Sequence, residues 1–167
     1  MTAPLLSKFQ RDLARGQEIE RQLDEYLEPE YKIRPATRDE QRRGIDRFLT
    51  HRDTGETFAI DYKADFWAAR TGRAFIETTS VDPGESINGQ HKAGWALTSH
   101  ADFIFYFVVG KRRLYVLSLA EIRAALPHWR LVCEPMRISN DGYQTEGLLV
   151  ELRDLERIAE SVVEVGA

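Results

Sequence analysis

The sequence predicts an α/β fold in which a mixed β-sheet is flanked by helices. Residues 5–27 repeat apolar side chains at three- and four-residue spacings, as an amphipathic helix does. A strand–turn–strand pattern with Gly55 in its turn occupies residues 45–63. Residues 101–109 are almost wholly apolar, which is typical of a strand buried on both faces. Helical patterns before and after these strands place helices on both sides of the sheet.

Length and composition predict a single globular domain. The 167 residues are 43% hydrophobic and 30% charged, enough to build a core inside a charged surface. We expect one domain over residues 1–167, with a core at about 5–126 and an extension at about 127–167. No apolar run approaches the ~20 residues of a membrane span, and we see no secretory signal pattern. The only cysteine, Cys133, excludes an intramolecular disulfide, which fits a reducing compartment, so we expect a cytoplasmic protein. Because no apolar run is long enough to span a membrane, we expect no membrane partner.

The first quarter of the chain reads as a helix followed by an edge strand. Gly16 interrupts the helical pattern of residues 5–27, which predicts close approach of another backbone. Pro29 ends the helical region. Residues 31–34 predict a short edge strand, and the polar run 36–43 predicts a loop.

The centre of the chain predicts a three-stranded antiparallel unit. Residues 45–50 and 56–63 form its hairpin, and residues 74–80 form its third strand, which carries Glu77. After the Pro83–Gly84 break, residues 85–99 read as a helix. The expected order is helix, three antiparallel strands, helix and further strands.

The last third of the chain alternates strands and helices. Ser118 with Glu121 three residues later is a capping box that predicts a helix start. The predicted elements are a buried strand at 101–109, a strand at 114–117, a helix from 118 to 126, an irregular segment at 127–142 with one strand near 130–134, a strand at 147–151 and a helix at 152–163.

The main candidate catalytic residues lie where the predicted hairpin ends. Asp61 and Lys63 are two residues apart, so in a strand they project from the same face. Asp46 lies on the preceding strand, so two carboxylates converge beside an ammonium. Adjacent carboxylates repel, and Mg²⁺ (or Mn²⁺) removes that repulsion while binding phosphate oxygens. Lys63 would then orient or deprotonate a water, or neutralise charge that develops on the phosphate.

The acid-x-lysine spacing is weak evidence without its context. A chain with 27 acids and five lysines should contain about one such tripeptide by chance. A second copy occurs at Glu30–Lys32, but no strand carrying an acid precedes it. Asp61–Lys63 has a hairpin and the upstream Asp46. The alternative interpretations are a strand-end ion pair for Asp61 with Lys63 and an exposed strand carboxylate for Asp46.

These motifs resemble the PD-(D/E)xK nuclease superfamily over roughly residues 10–117. Asp61–Lys63 matches its D-x-K element, and Ile45-Asp46 stands where the superfamily has Pro-Asp. Gly16–Arg21 resembles the first-helix motif of the Holliday-junction-resolvase branch. The resemblance implies a restriction-endonuclease-like αβββαβ core. It also implies that Glu20 completes the metal site and that the Tyr62 carbonyl is a ligand.

Other polar residues are weaker candidates. Gln90 and Lys92 lie on a segment that in the superfamily often supplies a polar residue near the phosphate; the alternative is two surface polars. Glu77 has no fixed counterpart and is a candidate supporting acid or ligand of a second metal. The net charge of −4 counts against a uniform electrostatic grip on DNA. Within the basic stretch from Lys32 to Arg47, the candidates for phosphate contact, or else for a solvated face, are Arg42, Arg43 and Arg47.

The function predicted is a Mg²⁺-dependent DNA endonuclease. It would recognise DNA structure, or a short site as a homodimer, or act inside a larger complex. One alternative is a DNA-binding or assembly subunit of the same fold whose acids are unused, and another is an unrelated α/β binding protein. The four histidines share no zinc-ligand spacing, and no glycine-rich phosphate loop is present, so we expect no zinc and no nucleotide cofactor.

Overall fold

The structure is a computed structural model that describes residues 8–81, 92–140 and 143–166. It confirms a mixed α/β fold with a mixed sheet flanked by helices. None of the helices in these ranges is both long and apolar enough to cross a membrane. The helices are α1 (Lys8–Leu27), α2 (Arg38–Arg42), α3 (Ala68–Thr71), α4 (Trp95–Thr98), α5 (Leu119–Val132) and α6 (Leu152–Ile158). The strands are β1 (Tyr31–Pro35), β2 (Arg47–His51), β3 (Thr57–Asp65), β4 (Arg73–Val81), β5 (Lys92–Ala93), β6 (Phe103–Val108), β7 (Arg113–Ser118), β8 (Glu134–Asn140), β9 (Tyr143–Glu151) and β10 (Ser161–Glu164).

Six strands form a mixed sheet in the order β1-β2-β3-β6-β7-β10. All neighbours are antiparallel except β3 and β6, which run parallel with Asp61 opposite Ile104. The parallel pair needs a crossover, and the chain between β3 and β6 supplies it. The predicted hairpin is present as β2 and β3. The predicted apolar strand is present as β6, in the middle of the sheet.

Four strands form a second, antiparallel sheet in the order β5-β4-β9-β8. The prediction that residues 74–80 form the third strand of the main sheet is therefore wrong. β4 pairs with β9 from Arg73 opposite Glu151 to Val81 opposite Gln144. The segment predicted as irregular contains β8, the other neighbour of β9. Local apolar alternation identifies a strand but carries no information about a partner some 70 residues away.

The two faces of the mixed sheet bury two separate cores. One face packs on α1, and the other packs on the antiparallel sheet with α5 and α6. The α1 core consists mainly of Ile19, Leu23, Leu27, Leu49, Ile60, Tyr62, Phe105, Phe107 and Leu114. The larger core on the opposite face includes Ile76, Ile104, Tyr106, Tyr115, Leu117, Ile122, Trp129, Val150 and Leu155.

Several helix boundaries differ from the predictions. The helix expected to end at 126 continues through Pro127 to Val132, because Leu126 and Trp129 bury the same face in the larger core. The segment 36–43 contains α2, which Thr37 and Glu40 close with a capping box. The final predicted helix, 152–163, ends at Ile158, and the following residues pair with β7 as β10.

Two further expectations concern glycine and the long predicted helix. At Gly16 an added Cβ would meet no described atom within 4 Å, so the expected close backbone approach is wrong. Of the helix predicted at 85–99, only Trp95–Thr98 is helical and Lys92–Ala93 is a strand. Residues 85–91 lie outside the described residues.

Candidate functional site

The pairing of β2 with β3 brings Asp46 and Asp61 to the same place. The backbone N–H of Asp46 donates to the carbonyl of Ile60 at 2.8 Å, just beyond the last paired residues of the hairpin. The backbone N–H of Tyr62 donates to Asp46 Oδ2, also at 2.8 Å. The Asp46 side chain therefore reaches across the end of β2 and lies within hydrogen-bonding reach of the Asp61 carboxyl. The structure brings together the two aspartates that the sequence analysis paired.

Asp61 is a buried carboxyl with one ionic partner. Its exposed fraction is 1%, and Lys63 Nζ lies 2.7 Å from its Oδ1. Its Oδ2 is buried and has no hydrogen-bond partner. Burial raises the pKa of Asp61 to about 7; Lys63 opposes this rise and Asp46 adds to it. Two ionised carboxylates cannot donate to one another, so this pair is satisfied only by a proton or by a cation.

The donor set fits a hard divalent cation. The Asp46 carboxylate is close enough to raise the pKa of Asp61, and the buried Asp61 Oδ2 has no hydrogen-bond partner. The N–H and C=O of a strand residue point to the same side, so the Tyr62 carbonyl faces the edge where Asp46 lies. Among the described residues, no three His, Cys, Asp or Glu side chains are grouped to hold a metal. Two carboxylates, one carbonyl and waters are a set that Mg²⁺ accepts, since it retains several waters.

Glu20 approaches this site from α1 but is held by an arginine. Its pKa is raised, first by burial and then by the charge of Asp46. Arg47 Nη2 donates to Glu20 Oε2 at 3.1 Å, and Arg47 Nε donates to Asp24 at 3.1 Å. Tyr62 donates its hydroxyl to Asp24 at 2.9 Å. Arg47, whose side chain is only 15% exposed, thus ties α1 to the strands beside the site.

The contacts of Arg47 with Glu20 and Asp24 affect the roles predicted for Glu20 and Arg47. Glu20 is close enough to Asp46 for the charge of Asp46 to raise the pKa of Glu20, and the role of Glu20 as a metal ligand stays a prediction. Arg47 has two carboxylate partners, and its contact with nucleic acid also stays a prediction. Asp24, which lies one helical turn after Glu20 on the same face of α1, was not among the predicted residues. That spacing was the available signal.

Glu77 and Trp95 form the wall on the other side of Lys63. The Lys63 ammonium lies 5.7 Å from the centre of the Trp95 ring. The pKa of Glu77 is raised by burial, against a hydrogen bond from the Trp95 backbone N–H and the positive charge of Lys63. A Cβ at Gly94 would lie 2.6 Å from the Glu77 carbonyl oxygen, so glycine is needed for this contact. Glu77 is therefore a neighbour of Lys63, and its role as an accessory acid or as a ligand of a second metal stays a prediction.

Asp65 and Tyr106 fix the end of β3 against the second sheet. Tyr106 donates its hydroxyl to Asp65 and accepts the backbone N–H of Phe75 at 3.0 Å. Asp65 Oδ1 also accepts the backbone N–H groups of Trp67 and Ala68, each at 2.7 Å. Burial raises the pKa of Tyr106 well above its ordinary value. This network was not predicted, because Tyr106 of β6 connects Asp65 of β3 to Phe75 of β4, and the sequence does not show that these strands lie together.

The remaining predicted residues lie at the surface or outside the described ranges. Arg42 pairs with Asp39 at 3.0 Å on exposed α2, and Arg43 is exposed at the end of that helix. Lys92 is exposed in the short strand β5 at the edge of the second sheet. Gln90 lies outside the described residues. Their contacts with nucleic acid stay predictions.

A cleft of about 630 Å³ opens next to Lys63. It lies between the end of β3 and the antiparallel sheet. It is lined by Lys63, Ala64, Asp65, Phe66, Trp67, Thr71, Arg73, Phe75, Trp95, Tyr106, Met136, Ile138 and Leu149. The site thus combines a carboxylate pair, an ammonium and an adjoining aromatic cleft.

Comparisons of the chain with protein-family models, with curated proteins and with solved structures find no significant match.

Proposed function

We propose that the chain is a divalent-metal-dependent nuclease that hydrolyses DNA phosphodiester bonds. One observation carries the proposal: Asp46 and Asp61 meet across the β2–β3 hairpin, and Lys63 Nζ lies 2.7 Å from Asp61 Oδ1. A buried carboxylate such as Asp61, with a second carboxylate nearby, is costly to keep ionised, which supports a functional role for its charge.

Asp46, Asp61 and the Tyr62 carbonyl would hold Mg²⁺ or Mn²⁺. When bound, such a cation polarises a phosphate and lowers the pKa of a coordinated water. The buried Oδ2 of Asp61, which has no partner, supports this assignment. The Asp46 carboxylate is oriented by the Tyr62 N–H, which leaves its other oxygen directed away from that bond.

Lys63 supplies a positive charge at the solvent side of the pair. Its side chain is 30% exposed, whereas Asp61 is fully enclosed. The ammonium can therefore contact a phosphate oxygen or a water that Asp61 alone could not reach. Its role is to orient the attacking water or to offset negative charge that develops on the phosphate.

The order of elements in the mixed sheet supports the same proposal. A helix, α1, precedes three antiparallel neighbours, β1, β2 and β3, and the chain then crosses over to the parallel strand β6. A helix before three antiparallel strands and a crossover to a parallel strand supports the proposed αβββαβ core, in which β1 would take the place that the sequence predicted for β4. Short helices α3 and α4 lie in the crossover.

A second candidate is a DNA-binding or assembly subunit of this architecture whose acids are not used in catalysis. Two observations favour it: Glu20 is bound by Arg47, and no three acids of the described residues are grouped for a metal. It predicts DNA binding without cleavage in any divalent cation.

The test is a cleavage assay with supercoiled, four-way-branched and single-stranded DNA in Mg²⁺, Mn²⁺ or EDTA. We expect metal-dependent cleavage of at least one substrate. Asp46→Asn and Asp61→Asn should each reduce the rate by about 10²-fold or more. Asp39→Asn, an exposed acid on α2, is the matched control and should retain the wild-type rate. Absence of cleavage by the wild type, or equal rates in all three variants, would refute the nuclease.

A further inference from the structure

The cleft beside Lys63 has an apolar interior with aromatic walls. Rings of Phe75, Trp95 and Tyr106 line it, together with aliphatic side chains of the second sheet. The Lys63 ammonium borders it near the Trp95 ring, at 5.7 Å. Its volume of about 630 Å³ is in the range of sites that enclose small organic groups. The interior therefore favours a ligand in which a flat apolar group is attached to a negatively charged group.

Cations stack on two exposed aromatic rings of the cleft lining. Phe66 and Trp67 are exposed, Trp67 by 65%. The Arg15 guanidinium lies 4.1 Å from the centre of the Phe66 ring, and Arg70 lies 4.7 Å from that of Trp67. Neither arginine forms an ion pair with any described residue. Within the described residues, no carboxylate therefore competes with an anionic ligand for these two charges.

Hydrogen bonds hold the backbone of the exposed aromatic turn. Asp65 accepts the backbone N–H groups of Trp67 and Ala68, and Tyr106 donates its hydroxyl to Asp65. A turn whose backbone is positioned before binding loses less conformational entropy on binding. The rim is thus suited to stacking.

Cations interleaved with aromatic rings around a groove are the pattern that binds single-stranded nucleic acid. A base inside a duplex is paired and stacked, and cannot enter a cleft without being extruded. An unpaired base can enter while its phosphates face the arginines. An apolar peptide would fill the interior but would leave the two guanidinium groups without a counterpart.

We infer that this cleft binds the base of an unpaired nucleotide next to the cleaved bond, with the neighbouring phosphates at Arg15 and Arg70. The inference rests on the proposed function and deepens it, because it makes a single-stranded segment the preferred substrate. Lys63 connects the two sites, since it borders both the carboxylate pair and the cleft.

The test measures binding by the full chain in EDTA, where cleavage does not occur. The probe is a short fluorescein-labelled DNA strand, alone or as a perfect duplex, followed by anisotropy. We expect tighter binding of the single strand. Trp67→Ala should weaken that binding by about fivefold to about a hundredfold and leave duplex binding unchanged. Arg70→Gln should weaken it too and reduce its salt dependence.

Leu131→Ala is the matched control, because Leu131 is 85% exposed but does not line the cleft. It should bind like the wild type, and circular dichroism should show all variants folded. The inference is overturned if Trp67→Ala binds the single strand normally, if the duplex binds as tightly as the single strand, or if only an apolar peptide binds the cleft.

The two proposals fail separately. Selective single-strand binding that depends on Trp67, without cleavage in any metal, would refute the nuclease and retain the cleft assignment. Metal-dependent cleavage of duplex and single strand alike, unaffected by Trp67→Ala, would retain the nuclease and overturn the cleft assignment.

Discussion

Two tripeptides of the chain share the pattern acid-tyrosine-lysine but differ in every physical property that matters for chemistry. In Glu30–Lys32 both the acid and the lysine are exposed. In Asp61–Lys63 the acid is 1% exposed and is paired with its lysine at 2.7 Å. Water and salt screen the charge of an exposed carboxylate, whereas the charge of a buried one acts strongly on its neighbours.

The difference comes from the neighbours of the two strands. β1 is an edge strand with one neighbour, β2. β3 lies between β2 and β6, and its far end meets Asp46, Trp95 and the second sheet. The same short pattern therefore becomes a candidate site only where other elements enclose it.

The largest expected difference between the two copies is in cleavage. Lys63→Met should lower the metal-dependent rate by about 10²- to 10⁴-fold, because it removes the charge that acts beside the carboxylate pair. Lys32→Met is the matched change in the exposed copy and should retain the wild-type rate. Initial rates of DNA cleavage measure both. An equal loss of cleavage rate in the two variants would show that the enclosed tripeptide contributes no more to cleavage than the exposed one.

The second prediction concerns pH. The folded-state pKa of Asp61, about 7, lies above its ordinary value of 3.8, so the metal-free folded state binds more protons than the unfolded state between these values. Asp61 therefore lowers stability progressively as pH rises through that window, by at most about 1.4 kcal/mol per pH unit.

Asp61→Asn should remove this contribution, since its amide is neutral and can donate to Asp46. The difference in unfolding free energy, variant minus wild type, should grow from about pH 4 to pH 7 and then level off. Urea titrations in EDTA at several pH values measure it. A difference that is constant with pH would contradict the burial of an ionisable Asp61.

The smallest predicted effect comes from changing the surroundings and leaving the tripeptide intact. A Cβ at Gly94 would lie 2.6 Å from the Glu77 carbonyl oxygen, so Gly94→Ala should destabilise the protein by about 1–3 kcal/mol. At Gly16 a Cβ would meet nothing within 4 Å, so Gly16→Ala should stabilise α1 by about 0.5–1 kcal/mol. Thermal unfolding of both variants gives the comparison. The two substitutions should change the stability in opposite directions. A Gly94→Ala variant as stable as the wild type would show that the backbone at Glu77 shifts at little cost.

Much of the mixed sheet was predictable from the sequence because its signals are local. The hairpin of β2 and β3 follows from apolar alternation around Gly55, and β6 follows from its continuous apolar run. The convergence of Asp46 with Asp61 follows from the hairpin. The partner of β4 was not predictable, and neither was β8, since both depend on pairings between distant segments.

For the candidate site residues too, local sequence patterns predicted some positions, and contacts between distant segments decided the others. Asp61 and Lys63 share a face by strand alternation, and the structure joins them as expected. Arg47 was a candidate for phosphate contact, which stays a prediction, and its partners Glu20 and Asp24 come from a different element that the sequence did not indicate. Trp95 and Tyr106 border Lys63 and its cleft through strand pairings that no sequence spacing encodes.

By itself the sequence determined that the chain is α/β, where the hairpin lies and which two side chains of β3 stand together. Each depends on periodicity or on a short turn, which act between neighbouring residues. Only the tertiary structure decided that Asp61 is buried, that its lysine faces a cleft and that one of the two acid-tyrosine-lysine copies stays in solvent. Burial is set by whatever packs on a strand from elsewhere in the chain, and it is burial that turns an ordinary carboxylate into one with a shifted pKa and an unsatisfied oxygen.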